Sequence, residues 1–232
     1  ILIALAIAAG LYGTLIVNIS NPRRNINEGL NNMERAIRFS GSEAALRNTL
    51  IRLQIKLGNE EDPYQSYSLQ YGPEGSFVLP EIRMGRNLSE REREEEEKKA
   101  KKLDRKFNRI EEFQEEDKEL SGYTRFIGVG TSENDQLLTE GNVSLFTYPT
   151  GERDSAIIIL GNDIEIAFVE INPFIQEFKR EYRPLELQES TEEEIYDKQR
   201  DLADEIFLEW KKKIKQKVKK KKKKKMKVLL IN

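Results

Sequence analysis

Carboxylates and cations are the reactive side chains this sequence has to offer: its 232 residues hold 41 Asp and Glu and 39 Lys and Arg, but no Cys and no His. Without thiol or imidazole there is no disulfide, no Cys/His zinc site, and no thiolate nucleophile or imidazole base. The carboxylates stand mainly in helical charge runs, where pairs follow from the spacing of a solvated face and do not mark a general acid and base. Glu133, Asn134 and Asp135 carry oxygen donors of the kind calcium takes in a loop, yet such a triplet ordinarily makes a surface turn. Gly128-Val129-Gly130 lacks the continuation of a dinucleotide fingerprint, and no Gly-rich loop ends in Lys-Ser or Lys-Thr. No catalytic residue, cofactor or metal is assigned.

The charges are unevenly placed. Residues 211–227 hold 13 lysines and no acidic residue, so residues 1–210 carry 26 basic against 41 acidic groups, an acidic body with a basic tail. The run Lys219–Lys225 has no apolar side chain to pack and is expected to repel itself into disorder at low salt. Anionic lipid headgroups, nucleic acid and the acidic body itself are all partners for such a tail. The absence of interleaved aromatics weakens the nucleic-acid reading.

The elements that position these groups begin with an uncharged stretch. Residues 1–22 carry no charge, and Ile1 to Val17 is apolar except at Gly10, Gly13 and Thr14. As a helix, 17 residues reach roughly 25 Å, just under the ~30 Å of a bilayer core. The run begins at Ile1 with neither Met nor a basic leader, so more of the apolar stretch is expected upstream. A secretory signal peptide is the other reading, but Val17-Asn18-Ile19-Ser20-Asn21-Pro22 makes a poor cleavage site. Arg23 and Arg24 flank the stretch on one side only, which leaves its orientation open.

Beyond Pro22, Ile26, Leu30, Met33, Ile37 and Ala44 recur at helical spacing, predicting an amphipathic helix over 23–48. From Ile51 to Leu57 the period changes to strict alternation, which predicts a strand burying Leu53 and Ile55 and leaving Arg52 and Lys56 in solvent. Further strands are predicted at Ser66–Tyr71, Ser76–Leu79, Tyr123–Val129, Val143–Tyr148, Ala156–Leu160 and Ile164–Phe168. The segment Pro149–Asp154 is predicted to act as a hairpin-like reversal. The 10 Phe and 8 Tyr are enough for a real core. A capping box at Ser89/Glu92 and a stop at Gly122 frame a charged helical insert over about 88–120, with Leu103, Phe107, Ile110 and Phe113 as one docking stripe. Thr191 with Glu194 opens a last helix bearing Ile195, Leu202, Ile206, Trp210, Ile214 and Val218.

In order and spacing, these elements resemble the H-type minor pseudopilins of type II secretion systems and the related minor pilins of type IV pili. Glu43, Ala44 and Arg47 match the family's Ser-Glu-Ala-x-x-Arg pattern at the helix end, and Pro149 with Gly151 match its Pro-x-Gly turn. The likeness covers roughly residues 1–80 and 121–182. It implies an α+β, pilin-like fold: a long N-terminal hydrophobic and amphipathic helix packed on antiparallel β-sheet, here with the charged insert and a C-terminal helix added. The implied organisation is a membrane-spanning helix over 1–22, a globular domain over 23–182, and a helical extension with the Lys-rich tail over 183–232.

The resemblance further implies a structural subunit rather than an enzyme. Such a subunit is cut by a prepilin peptidase and methylated, sits as a single-pass protein in the bacterial inner membrane with its globular domain in the periplasm, and works near the tip of a filament that helps export folded proteins. Its implied partners are other major and minor pseudopilins and the membrane itself. Helix packing falls to Ile1, Leu2, Ile3, Leu5, Ile7, Leu11, Leu15, Ile16 and Val17. The family's aromatic residue and Glu near the processing site do not appear before Ile1. A type IV minor pilin that contacts DNA and a membrane-anchored helical scaffold are the alternatives.

Overall fold

The computed structural model describes residues 22–59, 61–73, 79–80, 89–113, 116–174, 177–186 and 191–229. Helix α1 (Pro22–Arg47) opens with proline, whose fixed φ suits the first helical turn. Its buried stripe is Ile26, Gly29, Leu30, Met33, Ala36, Ile37, Ser40 and Ala44, whose steps of one, three and four residues keep them on one face. The helix ends where Asn48 turns left-handed at φ 49°, and the chain enters a strand three residues later.

Two four-stranded antiparallel sheets share α1. The first consists of β1 (Ile51–Lys56), β2 (Ser66–Tyr71), β3 (Asn108–Arg109) and β5 (Asn142–Thr147), in the order β3-β2-β1-β5. The second consists of β4 (Arg125–Thr131), β6 (Ala156–Gly161), β7 (Glu165–Ile171) and β8 (Lys179–Pro184), in the order β4-β6-β7-β8. The stripe of α1 meets Ile51, Leu53, Ile55, Tyr67, Leu69 and Leu145 of the first sheet, and Ile158, Leu160, Ala167 and Val169 of the second, in one core. Gly29 allows the close approach, since a Cβ there would stand 3.0 Å from Leu160 Cδ1.

Two more helices complete the fold: α2 (Glu90–Asp104) and α3 (Glu192–Leu229). Helix α3 covers the face of the second sheet opposite α1, where Ile157, Ile159, Ile166 and Phe168 pack with Ala203, Ile206, Phe207 and Trp210. Every residue of β6 and β7 is therefore buried. The molecule is α+β, with antiparallel sheets between helices.

Both predicted capping boxes are present: Ser89 and Glu92 exchange hydrogen bonds at the start of α2, as do Thr191 and Glu194 before α3. Other expectations need correction. Helix α2 stops at Asp104, well short of Gly122, so the stripe divides. Leu103 and Phe107 join Leu50 beneath the first sheet, Ile110 donates its N–H to Leu69 O at 2.9 Å, and Phe113 stacks on Phe39. Residues spaced for a helix instead dock one at a time along a sheet edge.

The reversal at Pro149–Asp154 does not make a β5–β6 hairpin. It closes locally through a Thr147–Arg153 bridge, after which β6 joins the other sheet. Arg52, expected in solvent, is 1% exposed. The Lys219–Lys225 run, expected to be disordered, lies within α3, a helix held upstream by packing and extended through residues of good helical propensity. The expected strand at Ser76–Leu79 lies outside the described residues except for Leu79.

Candidate functional site

The residues singled out from sequence fall in three places. Ile1, Leu2, Ile3, Leu5, Ile7, Leu11, Leu15, Ile16 and Val17 lie outside the described residues. Among the described residues, no helix is long and apolar enough to cross a membrane. The start of α1, where that segment joins the body, is firmly held. Asn162, in the β6–β7 turn, donates to Pro22 O at 2.8 Å and accepts from Ile164 and Glu165 N–H. Arg23 pairs with the buried Glu165 and lies 3.8 Å from the centre of the Tyr182 ring.

Glu43, Ala44 and Arg47 form the last turns of α1. Ala44 is buried, while Arg47 bonds Glu43 Oε2 at 2.7 Å and Glu112 Oε1 at 2.6 Å and stands over the Tyr71 ring. The hydrogen bonds to Glu43 and then Glu112 raise the guanidinium pKa above its usual range. These are exposed contacts that orient the helix end more than they stabilise the fold.

Pro149 and Gly151 lie in the reversal after β5. Gly151 adopts φ 82°, a left-handed conformation natural to glycine, and donates to Tyr148 O at 2.8 Å. Asp154 closes the base of the reversal: its N–H donates to Phe146 O, and its carboxylate accepts from Phe146 N–H at 2.8 Å. Burial, with help from Glu133 and Glu152, pushes that carboxyl up to about 6 against the opposing Phe146 bond. Ser40 and Thr147 hydroxyls meet at 3.0 Å and tie α1 to this segment. The end of α1 and the reversal thus face one another across a cleft bounded by Ser42 and Gly151; Glu43, Arg47 and Pro149 do not line it.

The outward face of α1 exposes Arg24, Glu28, Asn31, Arg35 and Arg38. It borders an open depression of about 580 Å³ near the helix start. This face is charged and presents polar groups to a neighbouring surface.

Two structural residues escaped the sequence reading. Arg52 donates to Asp104 Oδ1 at 2.5 Å and to Gln70, and lies 4.2 Å from the Phe107 ring centre, so it clamps the end of α2 to the first sheet. Desolvation lowers its pKa despite Asp104. Lys211, read as the first residue of the tail, instead donates to Ser132 O and Asn134 O at 3.0 and 2.6 Å. The Glu133–Asp135 turn therefore receives α3. Among the described residues, no group of three or more carboxylates converges as it would around a metal ion.

Comparisons with protein families, with curated proteins and with solved structures find no match to this chain.

Proposed function

We propose that this protein is a non-enzymatic assembly subunit of the pseudopilin type, anchored through its N-terminal apolar helix. It would recognise neighbouring subunits of a type II secretion filament through the exposed face of α1. The observation that carries this reading is α1 itself. A single helix follows the uncharged stretch without a break in the sequence, then buries one side beneath both antiparallel sheets while keeping a charged side exposed.

In such an arrangement the apolar segment supplies affinity through close helix packing in the membrane, and the charged face supplies register between subunits. The body is a rigid support, since α1 is zipped to β8 by Arg180 with Glu34 and by Tyr182 with Asn27. The periplasmic placement and tip position come with the family likeness.

The reading is tested by comparing the 232-residue chain with a fragment beginning at Pro22, which retains the Asn162 and Arg23 contacts. The fragment is expected to fold and remain monomeric without detergent, while the full chain partitions into membranes and resists alkaline extraction. A fragment that binds membranes as strongly as the full chain would contradict anchorage by residues 1–21.

A further inference from the structure

The cleft between the end of α1 and the reversal after β5 has a volume of about 540 Å³ and contains a charge with no ion-pair partner among the described residues. Arg153 is 9% exposed, and its Nε and Nη1 atoms have no hydrogen-bond partner. The other buried charged residues among those described are all paired: Arg52 with Asp104, Glu165 with Arg23, Glu170 with Lys179 and Lys213, and Lys211 with Asp135. Arg153 instead has a second cation as its charged neighbour. Arg38 lies 4.8 Å and Arg153 5.9 Å from the centre of the same Phe178 ring, and both line the cleft. Burial and the proximity of Arg38 together disfavour the charged form of Arg153. An unpaired buried guanidinium is costly to keep, and a carboxylate between the two would relieve both the desolvation and the repulsion.

We propose that this cleft is a recognition site for a carboxylate on an acidic peptide segment of a protein partner, held between Arg38 and Arg153. The rest of the lining fits that ligand. Ser42 and Thr150 place hydroxyl-bearing residues beside the cations, and Phe174, 74% exposed, offers an apolar surface for a side chain next to the acid. A nucleic-acid backbone would call for a longer basic track than two arginines. A small inorganic anion would leave Phe174 without a role. The proposal is independent of the assembly reading, since any acidic protein segment satisfies it.

The test uses the full chain in non-ionic micelles and a fluorescent acetyl-Gly-Asp-Leu-Asp-Leu-Gly amide, with its Asn-for-Asp counterpart as control. The acidic peptide is expected to bind saturably and the control at least about tenfold more weakly. Arg153→Met should weaken binding at least about tenfold while the melting temperature stays level or rises, because an unpaired buried charge has been removed. Arg38→Gln, at an exposed position, should weaken binding several-fold and provides the readout if Arg153→Met fails to fold. Equal binding of the two peptides, undiminished binding by Arg38→Gln, or binding of inorganic phosphate without binding of the acidic peptide would overturn the proposal.

Discussion

Arg52 shows how far one side chain can depart from its place in a pattern. It stands in a polar slot of the alternating strand, yet the face it occupies is covered by Asp104 and Phe107 from the end of α2. Arg52→Ala should cost about 2–3 kcal/mol in urea unfolding: Gln70 loses its donor, while Asp104, partly exposed, recovers water. Arg52→Met, which keeps the stem against Phe107, should cost less than half as much. Lys56→Ala breaks surface contacts with Asp62 and the Tyr64 ring and should stay within about 0.5–1 kcal/mol. Asp154 makes a pH prediction. Its folded carboxyl titrates at about 6, above the ordinary 3.8, so the folded state holds the proton more tightly. Its contribution to stability is therefore full at low pH, declines as pH rises through that window, and is flat above it. Asp154→Asn should melt above the parent at pH 7.5 and level with it at pH 3.5, by calorimetry.

Among the elements, α3 is tied to one glycine of β4. A Cβ on Gly130 would lie 2.4 Å from the Phe207 ring, so bare backbone there admits the helix, while Gly128 makes room for Leu137 of the loop after β4, which a Cβ would approach to 2.7 Å. Gly130→Val should destabilise by about 1–3 kcal/mol and red-shift the emission of Trp210, the sole tryptophan, as α3 lifts and water reaches it. Helix α1 and strand β1 were legible in the sequence because each turns its apolar residues to one core, so the apolar period survives. Both capping boxes were legible because capping is local chemistry. Strand β8 was not, because its Lys-Arg-Glu-Tyr-Arg-Pro sequence is a polar edge between two helices: Arg180 and Tyr182 reach α1, while Arg183 pairs with Glu209 on α3. The end of α2 was misjudged because Leu103, Phe107, Ile110 and Phe113 mimic helical spacing while serving separate contacts. Of the candidate site, the turn at Gly151 was legible from its own Pro and Gly, whereas Glu43 and Arg47 stood out only through the family likeness. The meeting of Arg38 with Arg153 depends on how α1 lies across β5, which no local pattern records.

At the scale of the molecule, the second sheet lies between two cores, so α3 belongs to the body as far as Ile214, and the sequence boundary after residue 182 falls inside β8. Removal of residues 219–232 should leave the melting temperature within about two degrees of the parent, since the last contacts with the body among the described residues come from Lys213 and Ile214. In the fragment beginning at Pro22, the same deletion should abolish binding to anionic vesicles, which with the tail present should fall steeply between about 50 and about 200 mM salt. The central claim is that α1 is an assembly face set beside a membrane anchor. Its most direct test is site-specific photo-crosslinking from Arg24, Glu28 and Arg35 of the full chain in the membranes of producing cells. The predicted result is a small set of adducts with proteins that begin with the same apolar-helix architecture, lost when residues 1–21 are deleted. Adducts to lipid alone, or protein adducts that persist in that deletion, would contradict it.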